Sequence, residues 1–277
     1  MKNKKLPLTG ISSVAIHSAT HENQSFAHLT PIYASSTFTF DSALQGMERF
    51  AGEDKSRIYS RWGNPTFTAA EQTIEALESF GIKDEQGNPL ALKAIIHASG
   101  QAAMATLFLS NLKAGVIILS HFSLYGGTQE LFQKVLAGAG INTMIADLSD
   151  PGKLEDCIKK NPGIRMLHIE TPANPTIQCI DIETSASIAK KYGLVVSVDN
   201  TFATPYLQQP FRYNIDFVIH STTKFLNGHG TSIGGVLLGR DLEFMKTVAG
   251  WGGTTREAVA KMVDGKPWHE AGQTDLP

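Results

Sequence analysis

IRMLHIETPANPTIQCIDIETSASIAKKYGLVVSVD, residues 164–199, reads as a strand, a loop, a helix and a second strand. The runs 164–170 and 194–199 are largely apolar, as expected of strands that are covered on both faces. Residues 181–193 have a helical pattern that ends in Gly193, a residue type common just beyond the last helical turn. A strand, a helix and a strand in this order indicate a parallel βαβ unit.

The same alternation runs through most of the chain. It predicts helices over 64–80, 101–112, 128–140, 150–161 and 181–193, and strands over 92–100, 114–120, 141–147, 164–170, 194–199, 216–221 and 232–241. We therefore expect an α/β fold with a mainly parallel sheet sandwiched by helices, whose ligands bind at the carboxyl ends of the strands.

Three segments are expected along the chain. Residues 1–60 lack a strong period and predict an extended arm with a short helix that contacts a neighbouring subunit, although a disordered leader is an alternative interpretation. Residues 61–250 form the large domain, and residues 251–277 begin a further C-terminal region.

Composition excludes several classes of function. The 277 residues include 24 basic and 26 acidic ones, so no nucleic-acid partner is expected. The two cysteines lie in different segments without a CxxC pattern, which predicts no metal site. Because the chain has neither a signal peptide nor an apolar run of roughly 18 residues, we expect no membrane association and a cytoplasmic location.

Two charged residues stand where predicted strands end. Asp199 closes one strand, and Lys224 follows the Ser-Thr-Thr turn after another. A mostly buried lysine is costly unless it is paired or used covalently, and lysine amines form Schiff bases with carbonyl cofactors. Pyridoxal 5'-phosphate (PLP) also needs an acidic partner for its ring nitrogen, a role that suits Asp199. A surface lysine and a turn-capping aspartate are the alternative interpretation.

Other strand ends add cofactor contacts. The amides of Gly100 and Gln101, at a strand-to-helix turn, suit a phosphate group, and so do the hydroxyls of Ser221 and Thr223. Tyr125 is placed to stack on a planar ring, although a half-buried tyrosine would look the same.

The motifs TPIYASSTF, YSRWGNPT, SGQAA, LYGGT, ETPANP, VDNTFATPY and HSTTKFLNGHG together resemble the Cys/Met-metabolism, or transsulfuration, family of PLP-dependent enzymes. The resemblance implies the large domain of PLP-dependent transferase fold type I. It implies Lys224 as the Schiff-base lysine and, with Tyr125, as catalytic. The implied cofactor-binding residues are Tyr59, Arg61, Gly100, Gln101, Tyr125, Asn174, Asp199, Thr201, Ser221, Thr223 and Lys224.

The resemblance also implies an assembly and an activity. Tyr59 and Arg61 match a family pair that reaches the phosphate of a neighbouring subunit, which implies a homodimer or homotetramer with shared sites. The motifs favour an O-acylhomoserine sulfhydrylase, which replaces the acyl group of an amino-acid substrate by sulfide or a thiol. A methionine or cystathionine γ-lyase, or a cystathionine γ-synthase, is the alternative within the family.

One departure from the family keeps other hypotheses open. The chain ends at Pro277, where the family continues with a small C-terminal domain that binds the substrate carboxylate; that domain is expected to be largely missing. A catalytically incomplete PLP-binding fragment or subunit is therefore a second hypothesis. A dinucleotide-binding protein is the third, and it is disfavoured because neither a GxGxxG nor a GxxxxGK[ST] loop is present.

Overall fold

The computed structural model describes residues 8–19, 27–54 and 56–251. Residues 252–277, which are nearly all of the predicted C-terminal region, lie outside the described residues.

Seven strands form one sheet in the described part of the chain. Its order is β1-β7-β6-β5-β4-β2-β3. The pairs β2–β3, β2–β4, β4–β5 and β5–β6 are parallel, whereas β7 is antiparallel to both of its neighbours, β1 and β6. Six strands therefore share one direction and β7 alone is reversed, which confirms the mainly parallel sheet. The strands are Lys93–His97 (β1), Ile117–His121 (β2), Asn142–Ala146 (β3), Ile164–Glu170 (β4), Val195–Asp199 (β5), Phe217–His220 (β6) and Gly235–Gly239 (β7).

Nine α-helices accompany the sheet among the described residues. They are Ile11–His17 (α1), Ala43–Ala51 (α2), Pro65–Glu78 (α3), Gly100–Asn111 (α4), Gly126–Glu130 (α5), Pro151–Lys160 (α6), Ile182–Lys191 (α7), Thr204–Leu207 (α8) and Leu242–Trp251 (α9). Short polar side chains begin several of them: Asn64, Ser99 and Asp181 each accept a backbone N–H of the first turn. Pro65 follows Asn64 at the first helical position, where a missing N–H costs nothing.

Helices cover both faces of the sheet. On one face α3, α6 and α7 pack on a core that includes Ile74, Leu154, Ala186, Val198 and Val218. On the other face α4 and α9 pack on a second core that includes Leu107, Phe108, Met166, Ile219 and Met245. These two apolar layers confirm the predicted α/β sandwich and explain why the central strands are largely apolar.

Some elements differ from the sequence predictions. The predicted helix 128–140 starts earlier, as α5, and continues as a π-helix over Leu131–Leu136. Short 3₁₀ turns at Pro210–Tyr213 and Phe225–Asn227 were not predicted, and the N-terminal segment has two helices, α1 and α2, where one short helix was expected. The two 3₁₀ turns and α1 have three to seven residues, too few for a periodic pattern to show.

The N-terminal segment is anchored to the start of α3. The backbone N–H of Tyr33 donates to Thr66 Oγ1 at 2.9 Å, and the side-chain amide of Asn64 donates to the carbonyl of Tyr33 at 3.0 Å. The division at residue 60 and the contact of this arm with a neighbouring subunit stay predictions. In the described part of the chain, no helix has the length and apolar character needed to span a membrane.

Candidate active site

A cavity of about 490 Å³ opens at the carboxyl edge of the sheet. Strands β1, β2, β4, β5 and β6 all end at this edge, so the residues that follow them converge there. Nine of the predicted site residues line it: Gly100, Gln101, Tyr125, Asn174, Asp199, Thr201, Ser221, Thr223 and Lys224. The volume is in the range of small-molecule sites, roughly 300–1,000 Å³.

Tyr59 and Arg61 do not line this cavity. They lie beside a second, apolar cavity of about 320 Å³, which is also lined by the aromatic rings of Phe40, Phe50 and Trp62. The Arg61 guanidinium lies 5.3 Å from the centre of the Tyr59 ring. Within one chain, therefore, these two predicted site residues are separated from the other nine.

Asp199 is a buried carboxylate of the cavity. Its side chain is at the end of β5, where Oδ1 accepts the backbone N–H of Thr201 at 3.0 Å. Burial raises the pKa of Asp199 above its usual value, although the bond from Thr201 and the nearby His220 act in the opposite sense. Among the described residues, no lysine or arginine forms an ion pair with it. A cationic ring nitrogen would offset the cost of burying this charge.

Thr201 connects two strand ends. Its backbone N–H donates to Asp199, and its hydroxyl oxygen accepts the backbone N–H of Ser221 at 2.8 Å. These two hydrogen bonds fix the end of β5 relative to the end of β6.

Lys224 is exposed, so the expectation of a mostly buried ammonium group was wrong. The turn after β6 explains the difference: the backbone N–H of Lys224 donates to the carbonyl of Ser221 at 3.1 Å, and this turn carries the lysine beyond the sheet edge to the rim of the cavity. The side chain nevertheless belongs to the cavity lining together with Asp199.

The N-terminus of α4 fits a phosphate group. Ser99 caps the helix by accepting the N–H of Ala102 at 3.1 Å, and the amides of the first turn have no partner within the helix. Gly100 approaches the turn after β6 so closely that a Cβ on it would lie 2.8 Å from Ser221 Cβ. Gln101 Nε2 is buried without a hydrogen-bond partner among the described atoms. A polar ligand would satisfy that amide.

The Thr223 hydroxyl is already engaged. It accepts the N–H of Gly234 at 3.0 Å and lies 3.2 Å from the Gly234 carbonyl. Of the two hydroxyls expected to bind a phosphate, only that of Thr223 makes such a bond within the described part of the chain, whereas that of Ser221 does not.

Glu170, which was not among the predicted site residues, also lines the cavity. It ends β4 directly beside Asp199, with which it is in register, and only 6% of it is exposed. Burial, followed by the charge of Asp199, raises the pKa of Glu170 to about 7. The sequence showed that Glu170 stands at the end of a predicted strand. Which backbone N–H groups its carboxylate accepts depends on the path of the neighbouring loops, which the ETPANP motif does not describe.

Comparison with known proteins places the chain in a family. The family model described as Cys/Met metabolism PLP-dependent enzyme matches residues 12–261. The chain is 40% identical over 233 residues to L-methionine gamma-lyase of Fusobacterium nucleatum subsp. nucleatum, covering 84% of this chain and 56% of that protein. It is 35% identical over 239 residues to O-succinylhomoserine sulfhydrylase of Pseudomonas aeruginosa, covering 86% and 56%.

A solved structure is also similar to most of this chain. A Campylobacter jejuni protein whose crystal structure contains N'-pyridoxyl-lysine-5'-monophosphate is similar with a TM-score of 0.73 and 31% identity, over 86% of this chain and 56% of that one. The predicted fold type I is thus confirmed. The chain spans little more than half the length of these relatives. It belongs to the Cys/Met metabolism family of PLP-dependent enzymes.

Proposed function

We propose that this chain carries the PLP site of an enzyme of sulfur amino-acid metabolism. The observation that carries the proposal is one cavity that combines a lysine at its rim, a buried carboxylate that has no cationic partner among the described residues, and an open helix N-terminus. The three features match the aldehyde, the ring nitrogen and the phosphate of PLP.

Each residue receives a role in this proposal. Lys224 would bond covalently to the cofactor aldehyde, and Asp199 would pair with the ring nitrogen. Tyr125 would stack on the ring, and Asn174 would donate to its phenolic oxygen. The phosphate would be held by Gly100, Gln101, Ser221 and Thr223, and Thr201 would keep the ends of β5 and β6 together.

The residues at the rim suit proton transfer. Bound PLP supplies an electron sink, which lets a bond at the α-carbon of an amino acid break. Lys224, which is exposed at the cavity rim, would be freed when the substrate amine replaces it on the aldehyde, and would then remove the α-proton and deliver protons as the γ-substituent leaves. Asp199 would keep the ring nitrogen protonated.

The motifs favour an O-acylhomoserine sulfhydrylase. The substrate would lose its acyl group as a carboxylate and take up sulfide or a thiol at the γ-carbon. A methionine γ-lyase is the second candidate, because its F. nucleatum relative is 40% identical to this chain. To distinguish the two activities, each amino acid is supplied separately. A sulfhydrylase would form homocysteine from the ester and sulfide, whereas a methionine γ-lyase would form methanethiol and 2-oxobutanoate from methionine.

The first test is cofactor binding. PLP is added to the purified chain, to Lys224→Ala and to the control Lys113→Ala, in which another exposed lysine is removed. We expect a protein-bound visible absorption band in the first and third samples only, and borohydride reduction should attach the cofactor to the peptide that contains Lys224. A band that survives in Lys224→Ala refutes the assignment.

The assembly is a separate proposal. Because Tyr59 and Arg61 lie outside the cavity of their own chain, we propose that they complete the site of a neighbouring copy in a homodimer or homotetramer. Mixing Lys224→Ala with Arg61→Ala chains tests this: if the site is shared, each mixed dimer regains one intact cavity, so wild-type PLP affinity returns at one of its two sites. No recovery on mixing contradicts it.

Binding without turnover is the competing outcome. It would favour the catalytically incomplete PLP-binding subunit, and adding a separately produced C-terminal domain would then restore turnover. A cytoplasmic location remains part of the proposal, supported by the composition of the sequence.

A further inference from the structure

Glu170 holds two loops of the candidate site at once. Its Oε2 accepts the backbone N–H of Tyr125 at 2.7 Å, and its Oε1 accepts the backbone N–H of Asn174 at 2.9 Å. Tyr125 follows β2 and Asn174 follows β4, so one side chain joins two segments that are 45 and 4 residues away in sequence. Both segments carry a residue that would contact the cofactor ring.

The two contacts require two acceptor oxygens. Each partner is an N–H donor, so a glutamine at position 170 would satisfy one donor with its oxygen and turn an NH₂ group towards the other. An aspartate would keep both oxygens but shorten the side chain by one methylene. Glutamate is therefore the residue type that fits both loops at this depth.

The position of Glu170 is electrostatically unfavourable. It is paired in register with Asp199 on the adjacent parallel strand, so both side chains lie on the same face of the sheet, and both are buried. Two neighbouring buried carboxylates repel each other, and burial and Asp199 both raise the pKa of Glu170. The two amide bonds act in the opposite sense.

We propose that Glu170 is a positioning residue that fixes the Tyr125 and Asn174 segments on the cofactor ring through its two carboxylate oxygens. The inference deepens the proposed function and rests on it for the identity of the ring. The Tyr125 ring is closely packed in this arrangement: a Cβ added at Gly127 would lie 2.6 Å from the Tyr125 ring and 3.0 Å from Gln101 Nε2.

The test compares Glu170→Gln with Glu130→Gln, a control carboxylate that is exposed on α5 and pairs with Lys134. Amide hydrogen exchange is measured first, without cofactor. Exchange at one of the two amides, Tyr125 or Asn174, should become at least about tenfold faster in Glu170→Gln and both should stay unchanged in the control, because an amide exchanges when its hydrogen bond opens. Unchanged exchange at both amides overturns the proposal.

The second readout is the cofactor. Glu170→Gln should bind PLP at least about tenfold more weakly, a free-energy change of about 1.4 kcal/mol, and reduce the induced circular dichroism of the bound ring. Faster exchange with unchanged PLP affinity and dichroism would show a merely structural role and overturn positioning. If Glu170→Gln does not fold, Glu170→Asp is measured in the same way and with the same criteria.

The proposed function and the positioning role of Glu170 can be refuted independently of each other. If the wild-type chain does not bind PLP, the proposed function fails, whereas the exchange experiment still tests whether Glu170 holds the two segments.

Discussion

Replacing Glu78 tests the buried polar network beneath the site. Glu78 is the last residue of α3 and is fully buried. Its Oε1 lies 2.6 Å from His220 Nε2 and accepts the side-chain amide of Asn200 at 3.1 Å. Asn200 in turn bonds Gln208, whose amide donates to the carbonyl of Thr171 at 2.8 Å. The network joins α3 to the carboxyl ends of β4, β5 and β6.

Glu78→Ala is expected to destabilise the fold strongly. It leaves the His220 imidazole and the Asn200 amide without this acceptor, and each buried polar group that loses its partner costs about 1–3 kcal/mol. In a chain of this size each kcal/mol lowers Tm by about 2–4 °C, so we expect Tm to fall by about 10 °C. Glu78→Gln keeps the oxygen that makes both bonds, so its loss should be about half as large.

Thermal unfolding followed by circular dichroism measures both variants without cofactor. Glu130→Ala is the matched control, because Glu130 is an exposed carboxylate whose i,i+4 pair with Lys134 is worth less than about 1 kcal/mol. A Tm for Glu78→Ala within about 2 °C of the wild type refutes this account of the network. A Gln variant less stable than the Ala variant refutes the claim that one oxygen makes both bonds.

Three further predictions concern the site and the sheet edge. Gly100→Ala should weaken PLP binding at least about tenfold in an absorbance titration, because its Cβ would lie 2.8 Å from Ser221 Cβ and displace the phosphate donors. Glu75→Ala should lower the free energy of unfolding by about 1–3 kcal/mol in urea denaturation, because Glu75 Oε1 accepts the outward N–H of Ala94 on edge strand β1 at 2.7 Å. The pKa of Glu170 is raised from 4.5 to about 7, so between these pH values the folded chain keeps a proton that the unfolded chain has lost. As the pH rises through this range, the free energy of unfolding should therefore fall by about 3 kcal/mol relative to that of Glu170→Gln.

Each of these predictions has a contrary outcome. Gly230→Ala, where a Cβ meets nothing within 4 Å, should leave PLP affinity unchanged, and an equal loss in both glycine variants would contradict the steric argument. Unfolding of Glu75→Ala that matches Glu130→Ala would show that the edge bond contributes nothing measurable. Parallel pH profiles for the wild type and Glu170→Gln would contradict the raised pKa of Glu170.

The fold class and most of the candidate site follow from local patterns. Apolar runs separated by helical periods predicted the parallel sheet, and the same reading placed polar residues directly after strands. Because the carboxyl ends of parallel strands share one edge, Asp199, Asn174, Tyr125 and Ser221 were expected to meet, and they line one cavity.

Such local patterns did not predict the short helical elements or the direction of β7. A strand of five residues reads the same in either direction, so the reversal of β7 depends on which neighbours it pairs with. The exposure of Lys224 was also mispredicted, because a turn of three residues decides whether a side chain lies inside the core or at its rim.

Residue types and their order along the chain were sufficient to predict a PLP site on an α/β sheet, because strand ends and helix starts are local features. Pairings between distant residues required the folded structure. Glu170 contacts the amide of Tyr125 across 45 residues, and Glu78 contacts His220 across 142. Such contacts depend on strand register and on the path of loops, which are set by the packing of the whole domain, so no short motif contains them.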